Sequence, residues 1–197
     1  MMNRPTSPFR ALALCAAVAL GATALTACTT TGPGNQASPG TARASMPTQV
    51  DATLSRLYKA APGSQELVEK SAGVLVFPQV VGGSLIVGVE HGRGVLRAGG
   101  QTLDEYTINA ASLGLQAGGQ SKSLVYVFNT ADALQKFRDS KGWTVGVDAT
   151  VAAGTLGANG MVDTRTSQQP VVSFVLTNVG LEAGVAVQGA KVTRAAN

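Results

Sequence analysis

The sequence predicts a mainly β, α+β domain: an antiparallel sandwich or a small, partly open barrel, with short N-terminal helices and one inserted helix. From Gly73 onward, short Val-rich runs and Gly-rich turns alternate too closely to leave room for βαβ crossovers. Glycine is abundant, with 24 of 197 residues, whereas charged residues make up only 13%. Helix bundles normally carry many more charged residues on their outer faces, so this composition favours a sheet.

The N-terminus has the features of an export signal. Arg4 and Arg10 precede an apolar run over residues 11–25, which is Ala-rich and short for a permanent membrane span. The run ends in Leu-Thr-Ala followed by Cys28, which resembles the lipobox of bacterial lipoproteins. We therefore expect residues 1–27 to be a signal peptide and Cys28 to be acylated. The alternative is an ordinary signal peptide in which Cys28 is incidental.

The residues around Cys28 also predict the location of the mature protein. Thr29 follows the cysteine in place of the Asp that resembles an inner-membrane retention signal. We expect a lipid anchor in the outer membrane that faces the periplasm, with surface exposure left open. Cys15 leaves with the signal and Cys28 is acylated, so no disulfide is expected.

Residues 28–48 are rich in Thr, Gly, Pro, Ser and Ala and show no apolar periodicity. Such a composition buries too little surface to fold, and it predicts an acylated flexible tether. One folded domain is then expected over residues 49–197, a length suited to a single core.

The elements of this domain follow from apolar periodicity and turn signals. Helices are expected over 50–61, over 64–70 with Ser64 as the cap, and after Asn129 or Thr130 with Gly142 as the stop. Turns are expected at His91-Gly92-Arg93-Gly94, at AGGQ and at GANG. The expected strands are 73–77, 84–91, 94–98, 103–118 with a bend, 123–128, 143–153, 170–178 and 181–192.

The sequence predicts no catalytic residue, cofactor or metal. Gly82-Gly83-Ser84 lacks the Lys of a phosphate-binding loop, and Gly92-Arg93-Gly94 lacks the third Gly and the helix of a dinucleotide fingerprint. His91 is the only histidine, there is no G-x-S-x-G motif, and too few soft ligands remain for zinc. Loss of Arg4 and Arg10 lowers the net charge from +4 to +2, too little to indicate nucleic acid binding.

After these exclusions, binding to an anionic surface is the function class that the sequence still supports. Three groups of residues are candidates for it. Lys136, Arg138 and Lys141 lie at a helix end beside Trp143, either to contact lipid head groups or to complement the helix dipole. The first helix offers Arg56 and Lys59 beside an apolar face that packs on the sheet or lies in a membrane interface. Arg93 and Arg97 are a third, weaker candidate pair.

The order of several segments resembles a known family. These are SAGVLVFPQVVGG, HGRGVLRAGG, YTINAASLGLQAGGQ, VFNTADALQKFRDSKGWTVGVDA and ANGMVDTRTSQQPVVSFVLTNVGLEAGVAVQGAKVTR. From about Leu54 to Arg194 the chain resembles the SYLF domain, also called the yeast-type actin-binding domain. The resemblance implies lipid binding, with phosphoinositides as ligands of eukaryotic members, actin binding in some yeast relatives, and no enzymatic activity.

Two functional hypotheses follow, and a third, a hydrolase, would require a cleft that holds a carboxylate pair with shifted pKa values. In the first, the domain of a lipid-anchored periplasmic protein binds anionic phospholipids or phosphoinositide-like head groups. In the second, it is a non-enzymatic envelope scaffold or an actin-binding-like module with a protein partner.

Overall fold

The computed structural model describes residues 39–84, 87–113, 118–182 and 189–196. The expected signal peptide, Cys28 and the first part of the expected tether lie outside the described residues. Residues Ala37–Asn197 form one compact unit. Both hydrophobic cores of the described chain belong to this unit, so it has what it needs to fold on its own.

Four helices and nine strands make up the described part of the unit. The helices are α1 (Pro39–Ala60), α2 (Ser64–Lys70), α3 (Ala131–Asp139) and α4 (Thr164–Ser167). The strands are β1 (Gly73–Ser84), β2 (Val87–Ala98), β3 (Gln101–Leu113), β4 (Gly118–Phe128), β5 (Trp143–Thr144), β6 (Ala152–Ala153), β7 (Val171–Thr177), β8 (Gly180–Glu182) and β9 (Lys191–Arg194).

The nine strands form one sheet in the order β5-β9-β3-β2-β1-β4-β7-β6, with β8 paired to β7. Every pair is antiparallel except β6 with β7. The sheet curls into an open half-barrel, which confirms the mainly β, antiparallel prediction. Of the two expected architectures, the structure is the partly open barrel and not the sandwich.

The sheet is packed on both faces because its central strands alternate between two cores. In β1, Leu75 and Phe77 point to one face, whereas Val74 and Val76 point to the other. The first face, here the α3 face, contacts Phe137 of α3. The second, the α1 face, contacts Val50, Leu54 and Leu57 of α1. Helices α1 and α3 therefore lie on opposite faces of the sheet.

Helix α1 begins ten residues before the predicted start of the domain. Residues 39–48, assigned to the tether from their composition, are helical in the structure. Met46 packs against the core of the α1 face, and Arg97 Nη2 donates to the Pro47 carbonyl at 3.3 Å. The contacts of Met46 and Pro47 with the folded sheet stabilise this part of the helix despite its Pro- and Gly-containing sequence.

The turn predicted at His91-Gly92-Arg93-Gly94 is wrong. These four residues lie in the middle of β2, where His91 pairs with Val81 and Gly92 with Val80. The glycines are needed for close packing: a Cβ atom on Gly94 would lie 2.5 Å from Phe77 Cδ1 and 2.6 Å from the Val76 carbonyl oxygen. Glycine in a strand that another backbone approaches closely explains this pattern.

Strand β1 also runs past the predicted end at residue 77 and includes Pro78. Its register against β2 and β4 shifts between residues 76 and 80, so one extra residue bulges out of β1. Because proline has no backbone N–H, a bulge is one of the few places where a central strand accepts it. The strand then continues to Ser84.

Several smaller differences lie in the second half of the chain. The strand predicted over 143–153 is only the short pair β5 and β6, because Gly146 adopts a φ of 80° and Asp148 accepts a hydrogen bond from the Thr144 N–H. The single strand predicted over 181–192 is replaced by the two short strands β8 and β9. Residues 183–188 between them lie outside the described residues.

The helix ends and the two remaining turns lie close to their predicted positions. Thr130 caps α3, which ends at Asp139 and not at Gly142, and Gly63, not Ser64, occupies the N-cap of α2. The turn at AGGQ is confirmed by positive φ angles at Gly99 and Gly100, and that at GANG by Gly160.

Replacing Gly94 with alanine is expected to destabilise the domain by about 1–3 kcal/mol, because the new methyl group overpacks against Phe77 and the β1 backbone. Gly83→Ala is the matched control, since no atom lies within 4 Å of the position its methyl group would take and the strand conformation suits alanine. Urea unfolding of both variants measures the difference. Equal midpoints for the two variants would contradict the packing role of Gly94.

Candidate functional site

On the α1 face, Arg97 holds helix α1 to the sheet. Its Nη1 lies 2.5 Å from Asp51 Oδ1, and its side chain is only 16% exposed. Together with the bond to the Pro47 carbonyl, this ion pair fixes two successive turns of α1. The contacts of Arg97 in the structure are therefore structural ones.

The other predicted cations of this face differ in how far they are engaged. Arg93 pairs with Glu105 at 3.0 Å. Arg56 borders a cleft of about 290 Å³ and donates to Ser123 Oγ at 3.4 Å and to the Thr177 carbonyl at 3.2 Å. Lys59 is exposed and, among the residues that the structure describes, has no carboxylate partner. The α1 face thus presents scattered cations, most of which already contact the protein.

The cations of α3 form part of a larger group. Lys136, Arg138 and Lys141 are exposed at the end of α3, as predicted, and two cations of strand β9 lie beside them. We call the five residues the basic edge, because β9 and β5 form this edge of the sheet. Its members are Lys136, Arg138, Lys141, Lys191 and Arg194.

Packing contacts bring the two halves of the basic edge together. The Lys191 side chain lies against Gly142, the residue after Lys141, so closely that a Cβ there would be 2.9 Å from Lys191 Cε. On the other side of β9, the Arg194 guanidinium carbon lies 6.0 Å from the centre of the Tyr106 ring. That ring packs on Phe137 of α3 at 4.8 Å between centroids. The cations therefore wrap around the rim from one side of β9 to the other.

Positive charge at the basic edge is only partly neutralised. Lys136 pairs with Asp132 at 2.9 Å, and Arg194 lies 3.4 Å from Asp104. In the described part of the chain, Arg138, Lys141 and Lys191 have no carboxylate partner. Three exposed cations, one in α3, one just after it and one in β9, thus remain available to an anionic partner.

Sequence reasoning missed Lys191 and Arg194, which lie about fifty residues after Lys141. Strand β9 joins the sheet between β3 and β5, and its Val192 pairs with Trp143. Only this pairing brings the second group of cations to the first. The available signal was the sequence AKVTR, in which charged residues flank the buried Val192.

Trp143 does not lie at the surface. It is 3% exposed and makes edge-to-face contacts with Tyr126 and Phe137, at 5.6 and 5.3 Å between ring centroids. The expectation that this ring sits at a membrane interface is therefore corrected: Trp143 packs beneath α3 and supports the helix that carries Lys136 and Arg138 of the basic edge.

A buried ion pair lies further along the α3 face. Lys122 Nζ of β4 lies 3.0 Å from Glu90 Oε1 and 2.9 Å from Glu90 Oε2 of β2, with side chains 15% and 10% exposed. The Glu90 side chain crosses over Gly82 of β1, where a Cβ would be 2.7 Å from Glu90 Cγ. A single carboxylate already paired with a lysine is not a general acid–base pair, and its contacts fix three adjacent strands.

All three tyrosines of the chain have raised pKa values. Burial is the main cause for Tyr58, Tyr106 and Tyr126. The negative charge of Glu90 raises the pKa of Tyr126 further. The positive charges of Arg194 and Arg138 lower the pKa of Tyr106 and so offset part of the increase caused by burial.

Metal-binding and membrane-spanning features are both absent from the described ranges. Those ranges contain no group of three or more His, Cys, Asp or Glu side chains able to hold a metal ion. Among the helices seen there, none has the length and apolar character needed to cross a membrane.

Comparison with known proteins gives one family match. Residues 109–197 match the model of the Ysc84 family, described as Las17-binding protein actin regulator. This segment resembles a Ysc84 domain. The match covers less than half of the chain, from the end of β3 to the C-terminus, and includes the whole basic edge; it supports the resemblance to SYLF domains in this part of the fold. No curated protein matches the chain.

Because Trp143 is the only tryptophan, its fluorescence reports on the core beneath α3. We expect the emission maximum of the Ala37–Asn197 unit to stay unchanged when anionic vesicles are added at saturating concentration. A blue shift, or quenching by brominated lipids, would show that Trp143 enters the bilayer and would contradict the buried position.

The raised tyrosine pKa values predict a pH dependence of stability. In the unfolded chain the phenols ionise near pH 10, whereas the folded state retains their protons. The stabilising contribution is complete below about pH 10 and is lost as the pH rises above that value. A spectrophotometric titration at 295 nm should show tyrosine ionisation together with loss of the circular dichroism signal. Ionisation of all three near pH 10 with the fold intact would contradict their burial.

Proposed function

We propose that this chain is a lipid-anchored, non-enzymatic protein of the cell envelope whose domain binds anionic phospholipids through the basic edge. The observation that carries the proposal is the presence of three cations without a carboxylate partner in the described chain, Arg138, Lys141 and Lys191, on one rim of the sheet. The α1 face is the weaker candidate, since Arg97 and Arg93 are paired with carboxylates.

The expected binding free energy between the basic edge and an anionic bilayer is in the range of a peripheral membrane domain. Each lysine or arginine near an anionic membrane surface contributes about 1 kcal/mol. Three such cations then supply about 3 kcal/mol, which gives weak, reversible binding to a bilayer. Acyl chains on Cys28 contribute about 0.8 kcal/mol for each buried methylene group and would provide the stable anchorage.

The lipobox-like sequence before Cys28 supports the lipid anchor, and Thr29 supports an outer-membrane position facing the periplasm. In that location the phospholipids of the envelope supply the anionic head groups that the basic edge would bind. The basic edge favours a negatively charged lipid without selecting one head group, because its cations are separate, exposed point charges.

A second function is suggested by the description of the matched family as an actin regulator. Protein interaction through the same edge would also rely on positive charge, because the matched residues include all five cations. A protein partner that is retained at high salt by the unit, together with an absence of vesicle binding, would favour this scaffold function.

Flotation of the unacylated Ala37–Asn197 unit with vesicles tests the lipid proposal. We expect binding to vesicles containing phosphatidylglycerol, little binding to pure phosphatidylcholine, and loss of binding as salt rises, because exposed charges are screened over about 10 Å at 0.1 M. Lys141→Glu and Lys191→Glu are each expected to reduce the partition coefficient about tenfold.

Lys59→Glu is the matched control, since it makes the same charge change on helix α1, outside the basic edge, and it should change binding by less than about twofold. Equal losses for the three variants would indicate that net charge, not the basic edge, governs binding. If the unit floats with neither type of vesicle, the proposal is contradicted.

A further inference from the structure

We propose that the basic edge faces the same membrane that holds the acyl chains, because helix α1 enters the domain from the β9 side of the sheet. This inference rests on the proposed function and adds an orientation of the domain on its membrane. It is carried by the path of α1, which is independent of the charges on the edge.

Contacts along α1 show its direction across the sheet. Near its N-terminal half, Asp51 and the Pro47 carbonyl both contact Arg97 of β2. One turn later Arg56 reaches Ser123 of β4 and Thr177 of β7. After the helix, the Pro62 carbonyl accepts a hydrogen bond from the Val162 N–H, in the segment that follows β6. The chain thus passes from β2 toward the β7–β6 side.

Toward its N-terminus, the axis of α1 leads to the basic edge. Pro39 lies twelve residues before Asp51, which is about 18 Å along a helix. In the sheet order, β3 and β9 come next after β2, and at about 4.8 Å per strand β9 is about 10 Å away. Even on a diagonal path, the N-terminal end of α1 lies on the side of the sheet where Lys191 and Arg194 are found.

The opposite side of the unit carries a different surface. The turn between β7 and β8 exposes Val179 almost completely, at 99%. This turn lies next to Thr177, which Arg56 contacts far from the N-terminal end of α1. An anchor attached through the start of α1 therefore leaves the β7–β8 turn on the side away from the membrane.

The distance to the anchor restricts how far the domain can turn over. From Cys28 to Pro39 there are eleven residues, which span at most about 40 Å. A unit of about 160 residues has a radius of gyration near 15 Å, hence a diameter comparable to that maximum. Only a nearly extended connection would bring the β7–β8 turn to the anchoring membrane, whereas the start of α1, on the side of the basic edge, needs no such extension. The anchor thereby raises the effective concentration of lipid at the edge, an effect that reaches about 10²- to 10⁴-fold in linked systems.

Depth measurements on the acylated full chain test this orientation. Ser140→Cys places an environment-sensitive probe at an exposed position beside Lys141, and Val179→Cys places the matched probe on the opposite side. Cys15 leaves with the signal and Cys28 is acylated, so each introduced cysteine is the only free thiol. Both proteins are incorporated into vesicles that contain phosphatidylglycerol and phospholipids with a quencher at the head-group level.

We expect quenching of the probe at residue 140 to exceed that at residue 179 by at least about threefold. The difference should persist at about 0.15 M salt, under conditions in which the unacylated unit has already lost most of its binding, because the anchor keeps the edge near lipid. Stronger quenching at residue 179 than at residue 140, or equal quenching at both, would overturn the orientation.

Vesicle clustering gives a second readout. If the edge faces the anchoring membrane, the acylated chain should not cluster vesicles; an increase in turbidity that Lys141→Glu abolishes would show binding to a second membrane and would overturn the inference. Failure of the proposed function is seen separately, as an absence of flotation of the unacylated unit. Flotation that is retained while the probes report the opposite orientation would refute the inference alone.

Discussion

The two-sided packing of strand β1 is the constraint on which the rest of the structure depends. Its side chains alternate between two cores, so the sheet is covered by α1 on one face and by α3 on the other. A sheet packed on one face only would have left one of these helices without a partner. This layered arrangement places Arg56 and Lys59 of α1 and Lys136 and Arg138 of α3 on opposite faces of the sheet.

The same packing explains which features were predictable from the sequence. Alternating apolar residues and closely spaced turns sufficed for the antiparallel sheet, and the Thr130 cap and the apolar positions of α3 were recognisable locally. Local rules failed where tertiary contacts decided the outcome. The strand predicted over 73–77 stopped before Pro78, yet a bulge accommodates the proline within β1. The glycines at 92 and 94 suggested a turn, yet they serve close packing against Val80 and Phe77.

The candidate site was half predictable for a related reason. Lys136, Arg138 and Lys141 stand out as a cluster in the sequence, whereas Lys191 and Arg194 join them only because β9 inserts between β3 and β5. The prediction of an interfacial position for Trp143 was wrong because an aromatic ring beside lysines is also typical of a membrane interface. Its burial follows from the pairing of β5 with β9, which turns the ring toward Tyr126 and Phe137.

The ion pair between Glu90 and Lys122 bears on how the glycine-rich strands find their partners. Strands with few side chains specify their alignment weakly, and β1 and β2 carry glycine at positions 73, 82, 83, 88, 92 and 94. A slip of β2 by one residue would move Glu90 to the other face of the sheet and leave Lys122 as a buried charge without its partner, at a cost of about 3–5 kcal/mol. The pair, lying across Gly82, therefore acts as a register pin: it makes misaligned hairpins unstable in a segment whose small side chains would otherwise tolerate them.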